Sequence, residues 1–104
     1  MLKTKIIPPA DGAYTYPLLI KRLLLSGARY EPGNEIVYAD KLRYSYKTLN
    51  QRIHRLANAL TAAGVKAGDT VAMLDWDSHR YLECFFAVPM IGAVLHTVNI
   101  CLSP

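Results

Sequence analysis

The sequence predicts an α/β fold, with a small β-hairpin followed by an αβαβ run of parallel strands and flanking helices. Three observations carry this. Apolar residues recur at Tyr46, Leu49, Ile53, Leu56, Leu60 and Ala63, at spacings of 3, 4, 3, 4 and 3, which is one face of a helix. Thr70–Leu74 and Ala93–Val98 are short, nearly all-apolar runs, as parallel strands buried on both faces are, and a helical pattern separates them. Glu35–Ala39 and Leu42–Tyr46 are rich in Tyr, Ile and Val and flank Asp40-Lys41, which reads as a two-residue hairpin loop.

Residues 1–16 carry Pro8, Pro9 and Gly12 without any period and read as an extended lead-in. Residues 17–104 read as one incomplete subdomain. Pro17 suits a first helical position, because its missing N–H would be unpaired there anyway. Leu18, Leu19, Leu23, Leu24 and Leu25 form a broad apolar face opposite Lys21 and Arg22, and Gly27 is expected to end this helix. Glu31-Pro32-Gly33-Asn34 is a turn signal.

Ser45 is placed to cap the long helix. Gly64 stands where a left-handed residue closes it, with Val65 as the apolar contact. The turn Lys66-Ala67-Gly68-Asp69 leads into the first parallel strand. Asp75-Trp76-Asp77-Ser78 is the strand-to-helix loop, with Asp77 or Ser78 as the cap of a helix over His79–Ile91. Tyr81, Leu82, Phe85, Phe86, Val88 and Ile91 supply its apolar bulk. Pro89 frees the Phe85 carbonyl, which predicts a kink, and Gly92 ends the helix. The hairpin and the two parallel strands are expected to form one small sheet, short of partners.

The 104 residues fit one domain. An apolar content of 52% against 19% charged excludes disorder. The longest uncharged stretch, Cys84 to Pro104, is interrupted by Pro89, Gly92, His96 and Asn99, so no membrane span of about 20 apolar residues is read. The net charge of +4 is weak evidence for any polyanionic partner. Two cysteines make no disulfide scaffold and fit a reducing cytosol. The first residues lack the apolar stretch of roughly 7–15 that a secretory signal needs, so a cytoplasmic protein is expected.

No phosphate-cradling, dinucleotide, zinc-protease, redox or nucleophile-elbow motif occurs. The six glycines read as caps and turns. Of the histidines, His54 reads as the edge of a buried helix face. His79, in a helix's first turn, reads as a surface residue or a ligand contact. His96 lies near a strand's carboxyl end, where open α/β sheets bind ligands. Cys84 reads as a small core residue, and Cys101 has no activating neighbour. Asp75 and Asp77 flank Trp76; helix capping and a solvated loop outweigh a metal or acid–base pair. Tyr38, Lys41, Arg43, Tyr44 and Tyr46 mix rings with cations, yet the consensus of an RNA-binding sheet is missing, so nucleic acid is not expected. The residues alone therefore give no catalytic and no metal site, and leave cofactor-binding residues unknown.

Several blocks carry a resemblance. They are Tyr44-Ser45-Tyr46-Lys47-Thr48-Leu49, Arg55–Leu60, Gly64-Val65 with Gly68-Asp69 and Val71-Ala72, and Gly92–Asn99 with Leu102-Ser103-Pro104. In order and spacing they resemble the N-terminal region of AMP-forming acyl-CoA synthetases. These belong to the adenylate-forming superfamily, with luciferases and peptide-synthetase adenylation domains. Arg80–Pro89 and Leu95-His96-Thr97 are most similar to the medium- and long-chain fatty-acyl-CoA ligase branch. Tyr16–Tyr44 fits less specifically, so the resemblance covers about residues 16–104.

It implies conversion of a fatty acid, ATP and CoA to acyl-CoA, AMP and pyrophosphate through an acyl-adenylate, with magnesium. The family's Ser/Thr/Gly-rich phosphate loop, aromatic–Thr-Glu segment, ribose-binding Asp and catalytic Lys would all follow residue 104, so no catalytic residue carries over. The chain thus reads as an N-terminal fragment, a partial subdomain inactive alone, with no cofactor of its own and prone to self-association. The rival reading is a stand-alone α/β interaction module that docks on a full-length synthetase. Two departures stand out. Thr48 occupies the place of the capping-box Glu. Cys101 occupies the place of an Arg suited to the phosphates of CoA.

Overall fold

The computed structural model describes residues 6–102; the first five residues of the lead-in, and Ser103-Pro104 of the last block, lie outside the described residues. Its elements are α1 (Ile20–Tyr30), β1 (Glu35–Tyr38), β2 (Leu42–Ser45), α2 (Tyr46–Ala62), β3 (Thr70–Met73), α3 (His79–Met90) and β4 (Val94–Thr97). The α/β class and the order of elements follow the sequence reading.

The first helix departs from it. α1 starts three residues after Pro17, behind an extended Leu19 that offers no side-chain cap. It runs through Gly27, whose carbonyl accepts the Glu31 N–H at 3.0 Å. Gly27 serves proximity instead of termination, because a Cβ there would stand 3.3 Å from the Tyr46 ring of α2. The turn after α1 is closed by the Asn34 N–H on the Glu31 carbonyl, at 3.1 Å.

β1 and β2 pair antiparallel, with Glu35 opposite Ser45 and Tyr38 opposite Leu42. That register leaves three loop residues, not two, and the positive φ of +46° falls on Ala39 instead of Asp40. The Lys41 N–H closes the loop on the Tyr38 carbonyl at 3.2 Å.

Both later helices begin and end by the same devices. The Ser45 hydroxyl accepts the Thr48 N–H at 3.2 Å, and the Ser78 hydroxyl accepts the Tyr81 N–H at 3.3 Å. At the far ends Gly64 and Gly92 take φ of +101° and +80°. The next residue returns its N–H to the helix: Val65 to the Leu60 carbonyl at 3.0 Å, Ala93 to the Val88 carbonyl at 3.2 Å. Pro89 stays inside α3, which continues to Met90.

β3 and β4 are parallel, Thr70 against Val94 and Met73 against Thr97. They form a two-stranded sheet separate from the hairpin, so the single small sheet expected from the sequence resolves into two. The turn before β3 is tied to the start of β4: Gly68 donates to the Gly92 carbonyl at 2.8 Å, and Val94 to the Asp69 carbonyl at 2.7 Å. Neither strand is buried on both faces. Val94 is 55% exposed, and the burial of β3 alternates along its length. Among the described residues, nothing covers the outward face of this pair.

The core lies between the helices: Leu24 of α1, Leu49, Ile53 and Ala57 of α2, and Ala87 of α3, with Ile36, Tyr44, Leu82 and Phe86 packed around them. Ile53 and Val88 are its largest fully enclosed side chains. The inward face of α3 is Glu83, Ala87 and Val88; Phe85, expected as apolar bulk, is 40% exposed. The Cα radius of gyration is 16.5 Å, against about 13 Å for a compact domain of this length, which fits an unclosed sheet and an extended lead-in.

Candidate functional site

Two places gather polar chemistry. The first is internal. Glu83 lies on the inward face of α3 and is 5% exposed. Its Oε1 accepts the Tyr44 hydroxyl at 2.9 Å and pairs with Nε of Arg52. The Arg52 guanidinium also sits 5.1 Å over the Tyr44 ring. Burial, then the hydrogen bond to Glu83, pushes the Tyr44 phenol up to about 12. The bond to Glu83 holds Arg52 further on its charged side. His79 packs against this cluster, its ring 5.2 Å from Tyr38 and 6.2 Å edge-on to Tyr44. Its Nδ1 is buried and without a partner. The cluster joins β2, α2 and α3, and its carboxyl group is buried and committed to Tyr44 and Arg52, so it is a fastener.

The second place is a cleft of about 240 Å³ beyond the carboxyl ends of β3 and β4. Asp75, Trp76, Asp77 and Tyr81 line one side, and Val98, Asn99, Ile100 and Cys101 the other. Parallel α/β sheets bind ligands at this end. Asp75 is committed locally, since its Oδ2 accepts the Ser78 hydroxyl at 2.5 Å. The cap of α3 thus falls on Ser78 and not on Asp77, and Asp75 braces the capping hydroxyl. Trp76 is 70% exposed. The Cys101 N–H is held by Oδ1 of Asn99 at 2.9 Å, and its thiol is exposed. No histidine or lysine lines the cleft, so its thiol has no base and its carboxylates no counter-charge. It can seat a neighbouring segment or a planar group against the indole.

The remaining candidates scatter. His54 is exposed, with Nδ1 against the Asn50 carbonyl at 2.8 Å, and does not edge the core. His96, paired opposite Ala72, is exposed and outside the cleft lining. Cys84 is half-buried, and burial pushes its thiol up. Among the described residues, no group of three His, Cys, Asp or Glu could hold a metal ion.

Residues 26–104 match the family of AMP-binding enzymes. The chain belongs to that family. As an AMP-binding family chain it is 52% identical over 62 residues to the long-chain-fatty-acid–CoA ligase of Thermus thermophilus, covering 60% of this chain and 12% of that protein. It is 34% identical over 94 residues to the 3-methylmercaptopropionyl-CoA ligase of Ruegeria lacuscaerulensis, covering 86% of this chain and 17% of that one. The fold superposes on the fatty acyl-CoA synthetase of Mycobacterium tuberculosis with a TM-score of 0.72 at 28% identity, over 79% of this chain and 17% of that one. This AMP-binding chain therefore spans 12–17% of the length of these relatives, and it corresponds to a short N-terminal portion of an AMP-forming ligase.

Proposed function

We propose that this chain is part of a fatty-acyl-CoA synthetase. The whole protein would join a fatty acid to AMP with release of pyrophosphate, then pass the acyl group to CoA with release of AMP. The observation that carries the reading is the 52% identity over 62 residues with a long-chain-fatty-acid–CoA ligase. Cytoplasmic residence belongs to the same reading; no helix among the described residues is long and apolar enough to cross a membrane.

ATP, magnesium and CoA come with this reading, but the residues here do not fit them. The polar lining of the cleft is Asp75, Asp77, Asn99 and Tyr81, and its two carboxylates would repel a triphosphate. No step of the reaction is therefore assigned to these residues. The chain's part is to fold and to present the strand ends against which the rest of an AMP-forming ligase is built.

Purified chain incubated with ATP, magnesium, CoA and medium- and long-chain fatty acids should release no acid-dependent pyrophosphate. Reading the DNA beyond codon 104 should reveal a Ser/Thr/Gly-rich phosphate loop in frame. Turnover that follows the chain through purification would overturn the inactivity. A second reading, a stand-alone module docking on a full-length synthetase, is favoured by the exposure of Leu74, Trp76 and Val94. A stable monomer with a cooperative melt and a clean stop codon would move the assignment to it.

A further inference from the structure

We draw no further inference here: the strongest candidate, the apolar hollow of about 230 Å³ between α1, β1, α2 and α3, lined among others by Leu23, Gly27, Ile36, Leu49 and Phe86, is an unpartnered apolar face, and nothing in the structure shows what covers it.

Discussion

Tyr44 and Glu83, 39 residues apart in sequence, meet at 2.9 Å, the phenol donating to Oε1 of the carboxyl group. Arg52 reaches the same oxygen from α2. One acceptor atom thus holds a strand and a second helix onto α3.

The two ends of the ion pair are unequal: the Arg52 side chain is 38% exposed and that of Glu83 7%. A widowed arginine can rehydrate, and a widowed glutamate cannot. Arg52→Met should therefore cost about 2–3 kcal/mol and Glu83→Gln about 1 kcal/mol, even after allowing for solvent screening on the arginine side. Urea unfolding of the two variants decides it, and the reverse order would refute the account.

Tyr44 also sets an alkaline limit. Its folded pKa is raised to about 12 from the ordinary 10.0. The unfolded chain releases this proton first as pH rises, so the associated stability is full below about pH 10 and is lost toward pH 12. Melts across that window should show a steeper decline in the parent than in Tyr44→Phe. In an absorbance titration, one of the seven tyrosines should ionise late.

Gly64 and Gly92 share a left-handed backbone but not their surroundings. A Cβ on Gly64 meets nothing within 4 Å, whereas one on Gly92 falls 3.1 Å from the Ala67 Cβ. Gly64→Ala should cost about 1 kcal/mol from conformation alone. Gly92→Ala should cost more, because it also pushes apart the turn bonded to β4. Equal melting shifts for the two would show that the Ala67 contact gives way freely.

The open β3–β4 pair should make the isolated chain self-associate. Sedimentation at several concentrations is expected to show growing mass, and Val94→Lys should suppress it. A concentration-independent monomer would count against this and for a self-sufficient module.

Much of this architecture was legible because its signals are local. The Tyr46–Ala63 periodicity, the serines at 45 and 78 and the glycines at 64 and 92 act within one or two helical turns. Gly27 misled, because its reason for being small lies on another helix, at Tyr46. The burial of β3 and β4 was overestimated, since an apolar run states a preference and not whether anything covers it. The Tyr44–Arg52–Glu83 cluster spans 31 and 39 residues of sequence and left one trace. Glu83 sits four positions before Ala87 on the inward face of α3, and a carboxyl group there needs a partner. The strand-end cleft was anticipated through His96, yet its lining comes from the two loops beyond the strands.

The parallel register fixes an order of events during synthesis. Glu35 finds Ser45 ten positions later, so the hairpin can close soon after it emerges. Thr70 must wait for Val94, twenty-four positions on, which at ribosomal speed is about 1–5 s. For that interval Val71 and Met73 stand unpaired on a nascent chain whose hairpin and α2 are already made. They offer a chaperone an apolar stretch that vanishes once Thr97 has emerged and paired with Met73.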